Sequence, residues 1–268
     1  MDATKAVEKP PNFRAIFCSP TVVVKIGAEG KMYRISKALT MHYSGYFRGA
    51  FGSNGFQEGV SGEVTLQHIQ PYVLEGFITW LYYHDPETTT SSTWFNKYKR
   101  ELRDLKPSMS IGCAFVDLYI FADRFIIPKL TAALTTAAVM YYSIGSKNKH
   151  HPNPSYETIV YAFAELPQDH TLLRVLADAA YRNWRPSHYK KPSRDDRGWF
   201  EQLPAKFLLR QLAGLSLRTS KRGRLRVHDY LEDATPKSGF RRFFSDSSSG
   251  SSSEVSSSTD TSSEDDSS

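Results

Sequence analysis

Cysteine is scarce: Cys18 and Cys113 are the only two in 268 residues. That excludes the dense disulfide framework of a small secreted domain and predicts two free, buried thiols in a reducing compartment. Long apolar runs are missing as well. No stretch approaches the ~20 residues that a bilayer span requires. The opening MDATKAVEKPPN lacks the apolar stretch of a secretory signal. The signatures of catalysis are equally absent: no P-loop, no G-x-S-x-G elbow, no H-E-x-x-H and no C-x-x-C occurs. Glycines 45, 49, 52, 55 and 59 do not follow a strand in the dinucleotide-binding frame. His150-His151 sits among Lys, Asn and Pro with no cysteine near, which is a poor metal site. The expectation is a protein that is not an enzyme and needs no cofactor or metal.

What is present is a core. Hydrophobic residues make up 40% of the chain and aromatics 13%, enough for one sizeable domain or two small ones. Charge is unevenly placed. Residues 245–268 hold 14 serines, two threonines and six acids, with no Lys or Arg. Such a composition cannot build a packed core and predicts a disordered tail. The overall +6 therefore conceals a body, 1–244, in which 34 basic residues face 22 acids, a net +12. A basic body favours acidic partners. In the tail, Ser251, Ser257, Thr261, Ser262 and Ser263 each precede an acid by three positions. That is the spacing acid-directed kinases favour, and each phosphate would add about −1.5 to −2. Lys221, Arg222, Arg224 and Arg226 form the densest basic run, a candidate import signal or nonspecific anion contact. No helix-turn-helix, zinc finger or stacking platform supports sequence-specific DNA reading.

Hydrophobic periodicity gives the organisation. Residues 1–18 read as an extended arm. TVVVKI (21–26) and KMYRI (31–35) alternate as strands, joined across Gly27-Ala28-Glu29-Gly30 into a hairpin. Met32 and Arg34 should face one way, Tyr33 and Ile35 the other. Ser36 is placed to cap a short helix, and another is expected over 44–51. Residues 52–62 read as loop and 63–66 as a short strand. Pro71 opens a helix with Val73, Phe77, Trp80 and Leu81 inward. Residues 85–107 read as an insertion, helical only near its end. Helical period resumes at Ile111, Phe115, Leu118, Ala122 and Phe125, and again from Pro128 with Leu130, Leu134, Ala137 and Tyr141 inward. Ser155 and Asp169 should cap two further helices. Residues 186–198 read as polar linker, and a last helix runs from Trp199 with Phe200, Leu203, Phe207 and Leu212 on its apolar face. The fold class is α+β, with strands too few and connections too short for a doubly wound sheet.

Between Ser19 and Tyr141 the order of these elements resembles a BTB/POZ domain, in a form with a helical C-terminal extension. Four segments carry the resemblance. The hairpin and following helix start give TVVVKI and KMYRISKAL, with Lys37 and Leu39 in frame and Ser36 where a His is usual. MHYSGYFRGAFGSNGFQEG (41–59) matches through Ser44, Tyr46 and Phe47. EVTLQHIQPYVLEGFITWLYY (63–83) and DLYIFADRFIIPKL (117–130) complete the set. The division that follows is an arm (1–18), a BTB/POZ-like domain (19–143, with the 85–107 insertion), a helical extension (154–214), a basic segment (215–244) and the Ser/acidic tail (245–268).

The resemblance implies a protein–protein interaction module, one that self-associates as a homodimer or binds a cullin scaffold as a ubiquitin-ligase adaptor, in the cytoplasm or nucleus. An apolar residue, any residue, then Glu marks cullin binding in many members, and Phe56-Gln57-Glu58 stands in that loop. A rigid aromatic on a loop suits a partner pocket. One departure is Ser19-Pro20, where many members place an Asp that forms part of a charged dimer pocket. A different-class alternative is a nuclear or chromatin-associated regulator, in which the domain assembles subunits and the basic run supplies import or nonspecific nucleic-acid contact.

Overall fold

The β-branched run Thr21–Ile26 forms strand β1, and Lys31–Ser36 forms β2. Their antiparallel register sets Val22 opposite Ile35 and Val24 opposite Tyr33. Val22, Val24, Ile26 and Ile35 are wholly buried while Met32 and Arg34 face outward, as the alternation requires. Gly27 and Gly30 take positive φ at the turn. A third strand, β3 (Glu63–Leu66), pairs parallel with β1, so the sheet order is β2-β1-β3. The computed structural model describes residue 16 and residues 18–52, 56–83, 93–106, 108–143, 153–183 and 194–216, with 227 and 230.

The chain between β2 and β3 supplies α1 (Lys37–Tyr43), α2 (Gly45–Gly52) and α3 (Gln57–Ser61). Ser36 caps α1, its hydroxyl accepting from Leu39 N. Ser19 adds a second cap by accepting from Ala38 N at 2.9 Å. After β3 come α4 (Pro71–Tyr83), α5 (Thr93–Leu105), α6 (Ile111–Arg124) and α7 (Pro128–Ser143). Then follow α8 (Tyr156–Glu165), α9 (Thr171–Asn183), α10 (Arg194–Glu201) and α11 (Ala205–Ser216). The α+β class stands: eleven helices surround a small three-stranded sheet among the described residues. All of these residues fall in one compact unit, Met1–Thr235.

The core is aromatic. Phe47, Phe77, Phe121 and Phe125 form a connected set, with ring centroids 4.3 Å apart for Phe121 and Phe125 and 5.4 Å for Phe77 and Phe121. Helix α6 runs through it with Gly112 to Val116, Leu118, Tyr119, Phe121 and Ala122 all buried. The side chain of Asp117, half-buried on this helix, is held by two hydroxyls. Tyr72 of α4 donates to one carboxylate oxygen, and Tyr161 of α8 donates to the other at 2.6 Å. This bond set ties the extension to the α+β part. The same helix meets α8 at a notch. Thr158 is buried there, its hydroxyl 3.0 Å from that of Ser110 and 2.8 Å from that of Ser155, which caps α8. A Cβ added at Gly112 would lie 2.9 Å from Thr158 Cβ and nearer still to its other atoms.

Several sequence expectations need correction. Within residues 85–107 the helix is longer than the sequence suggested: α5 spans Thr93–Leu105, and its Trp94, Phe95, Tyr98 and Leu102 belong to the core. The lysines and arginines between them hid the stripe. The 52–62 segment is not all loop, since α3 occupies Gln57–Ser61 and ends on Gly62 at φ 68°. Asp169 does not cap α9; His170 does, its Nδ1 accepting from Leu172 N at 3.1 Å. The 186–198 linker ends early because α10 begins at Arg194, and the last helix is two, α10 and α11, broken at Pro204. Within α11, Phe207 is buried, but Leu212 faces outward. Both thiols are free; Cys113 is buried as expected, with burial pushing it up to about 11, whereas Cys18 is exposed.

Two stability outcomes follow. In an open helix, Gly→Ala gains up to ~1 kcal/mol from propensity. At Gly112 the collision with Thr158 should reverse the sign, so Gly112→Ala should cost about 2 kcal/mol or more in urea unfolding. His170 must keep Nδ1 unprotonated to accept from Leu172, and burial holds it below its ordinary 6.5 against the opposing pull of Asp123 and Asp169. The lowered folded pKa makes its contribution full above 6.5 and lost as pH falls through the folded value. Unfolding midpoints taken between neutral and mildly acid pH should fall more steeply for wild type than for His170→Asn.

Candidate partner-binding surface

Phe56 occupies the N-cap of α3 in an extended conformation and makes no side-chain cap bond. Ser, Asp or Asn at such a position stabilises a helix start by ~1 kcal/mol, so the aromatic ring forgoes that gain. Burial does not offset the loss, because the residue is 59% exposed. Its carbonyl accepts from Gly59 N at 3.0 Å and Val60 N at 3.4 Å, which fixes the start of the helix beneath the ring. Phe56 thus stands at a helix start rather than in the loop expected from the sequence. Val60, one turn on, is also exposed.

Glu58 lies in the first turn of α3, where the helix dipole favours a carboxylate. Its backbone carbonyl accepts from Gly62 N at 2.9 Å. The α3 segment packs against α2, whose Tyr46 is exposed at its edge. Burial raises the Tyr46 hydroxyl, the charge of Glu58 raises it further, and Arg124 opposes them. Tyr46 thus stands within electrostatic reach of an acid on one side and a base on the other.

Beside it lies an unusual corner. Ile126 has φ 54°, a left-handed conformation that costs a β-branched residue roughly 1–2 kcal/mol. Local bonds impose it. Ile126 N donates to Asp123 O and Ile127 N to Ala122 O, while Ile126 O accepts from Gly45 N at 3.0 Å. Phe125 O accepts from Ser44 Oγ at 2.7 Å and from Tyr46 N at 3.3 Å. The side chain is left 61% exposed against Gly45, where an added Cβ would lie 3.0 Å from Ile126 Cγ2. Strain held in place by surrounding bonds, with the apolar group turned to solvent, fits a presenting role better than a packing one.

The chain therefore brings Glu58, Tyr46, Arg124 and Ile126 onto neighbouring positions, with Phe56 leading into α3. Phe56 and Glu58 were legible as a motif. Tyr46 and Arg124 appear in the segments that carry the family resemblance, but only the folded contacts join them to Glu58. Ile126 carries no sequence signal, since nothing about isoleucine announces a positive φ. The basic residues Lys221, Arg222, Arg224 and Arg226 lie outside the described residues, as do Ser251, Ser257, Thr261, Ser262 and Ser263. The same holds for His150 and His151. Among the described residues no cluster of three or more His, Cys, Asp or Glu could hold a metal ion, and no helix is long and apolar enough to cross a membrane. The chain matches no protein-family model and no curated protein.

Because Phe56 is exposed and Glu58 forms no side-chain bond among the described residues, replacing both should leave stability nearly unchanged. Phe56→Ala with Glu58→Ala is expected to move the urea unfolding free energy by under about 0.5 kcal/mol. A loss of 2 kcal/mol or more would show that the ring packs into its own protein.

Proposed function

We propose that the protein is a BTB/POZ-type interaction module that binds a cullin scaffold, and recruits or assembles with a partner for ubiquitination. It acts by binding and positioning. The observation that carries the reading is an exposed Phe56 at a helix cap, where its side chain makes no cap bond, with Glu58 two residues along in the first turn. The order of elements supports it: a hairpin, three short helices, a strand parallel to the first, then the α4, α6 and α7 helices. These occur over the residues that carry the resemblance.

The energetics are those of a small anchor cluster. A few aromatic and apolar anchors supply most interface energy, and surrounding contacts exclude water. Phe56 and Ile126 are suited to fill apolar pockets, and Tyr46 offers both a ring and a hydroxyl. Glu58 and Arg124 supply opposite charges that set orientation and encounter rate. Fixed backbone at the 125–127 corner reduces the ordering cost of binding. Self-association through the family's charged pocket has less support: Ser19, standing near the usual acid, is engaged as a helix cap on Ala38.

The test is a titration of the full chain against a cullin N-terminal domain. Wild type is expected to bind, and Phe56→Ala with Glu58→Ala should cost about 2 kcal/mol, roughly thirtyfold in Kd. No binding by wild type, or equal binding by the variant, contradicts the proposal.

A further inference from the structure

A second surface stands apart from the Phe56 region, on α5. With core residues Trp94, Phe95, Tyr98 and Leu102 turned inward, helical spacing puts Lys99, Arg103 and Lys106 along one flank at i, i+4 and i+7, the last just past the helix end. The acids of the helix do not share that flank: Glu101 is used by Lys97 at 2.9 Å and by the Thr79 hydroxyl at 2.8 Å. Among the described residues, no carboxylate pairs with any of the three cations.

The cations are instead set against aromatic rings. Lys99 Nζ lies 4.9 Å from the Phe95 centroid and 5.2 Å from that of Tyr141 on α7. Lys106 Nζ lies 5.0 Å over Tyr72 on α4. Phe95 and Tyr141 meet edge to face, so the seat of Lys99 is built by two helices. Lys99 is half-buried. Burial lowers its pKa first and Arg103, one turn away, lowers it further, which marks a desolvated cation beside a like charge. Ring faces stabilise such a cation by ~0.5–2 kcal/mol but leave its charge unneutralised. Arg103 is also the charge that pulls against burial at the Tyr141 hydroxyl, so that hydroxyl belongs to the same neighbourhood.

We propose that the Lys99–Arg103–Lys106 flank of α5, bordered by Tyr141 and Tyr72, is a docking site for an extended acidic segment of a partner protein. The spacing states which one. Seven helical residues rise ~10 Å, and a segment in the polyproline II conformation covers ~9 Å in three residues while returning the side chain to the same face. An acid facing Lys99, with Arg103 one turn on, and a second acid three residues later facing Lys106 therefore match the flank. Phosphoserine in the first position fits better than Glu, because its extra charge and oxygens suit a Lys–Arg pair. Three cations are too few for a nucleic-acid track, where affinity depends on many neutralised phosphates.

Fluorescence anisotropy of the full chain tests this with four labelled probes: a Gly/Ser peptide carrying Glu-Ala-Ala-Glu, its phosphoSer-Ala-Ala-Glu form, its Gln-Ala-Ala-Gln form, and a short single-stranded DNA. Binding should be tightest for the phosphopeptide, weaker for the Glu peptide and absent for the Gln peptide. Lys99→Gln with Arg103→Gln should weaken phosphopeptide binding at least tenfold with Tm preserved. If loss of the Lys99 seat disturbs folding, Arg103→Gln with Lys106→Gln, both at exposed positions, carries the same expectation. Arg34→Gln with Lys206→Gln removes equal charge elsewhere and should leave binding intact. Equal loss in that control, no binding of either acidic peptide, or tighter binding of the DNA overturns the proposal. Because no cullin enters this experiment, its failure leaves the Phe56 reading standing.

Discussion

Helix α6 is the element on which the rest depends. It is buried nearly all round, so other elements must cover every side of it. The aromatic set of Phe47, Phe77, Phe121 and Phe125 covers one side and joins it to α2 and α4. Cover on another side comes from α8 at the Gly112–Thr158 notch, a closer approach than any larger residue allows. Asp117 is the charged side chain of this helix that is not exposed, and its two tyrosine donors come from the α+β part and the extension respectively. One carboxylate thus serves both halves. A half-buried carboxylate deprived of either donor loses a charge-assisted bond, worth more than a neutral one.

That arrangement explains how the proposed surface is held. The C-terminal end of α6 delivers Phe125, Ile126 and Ile127, and its backbone fixes the corner against Ser44, Gly45 and Tyr46. The position of Ile126 is therefore set by a helix buried nearly all round rather than by a free loop. Presenting residues on such support is what allows a small contact to be specific. Phe56 and Glu58 are carried differently, on a five-residue helix closed by Gly62 and packed on α2.

Much of the fold was legible where the pattern was unmixed. Strands β1 and β2 follow from alternation and the turn glycines, and α6 and α7 follow from long apolar stripes that begin near Ser110 and at Pro128. The misreadings have separate causes. In α5 the buried Trp94, Phe95, Tyr98 and Leu102 are interleaved with Lys97, Lys99, Arg100 and Arg103, and the charges masked the stripe. In α9 the cap is an imidazole, a less usual acceptor than the neighbouring Asp169. In α11, Leu208, Leu209 and Leu212 look like core but face outward, because Phe207 and Gly214 turn toward α9 instead. The candidate surface was half legible: Phe56 and Glu58 form a local motif, whereas the left-handed Ile126 is produced by tertiary bonds that no local pattern encodes.

Amide hydrogen exchange of the full chain, alone and with a cullin N-terminal domain, tests the central claim most directly. The account predicts added protection confined to two stretches distant in sequence, residues 45–62 and 123–127, because both frame the same surface. Protection limited to α10 and α11, or spread evenly over the chain, would contradict it.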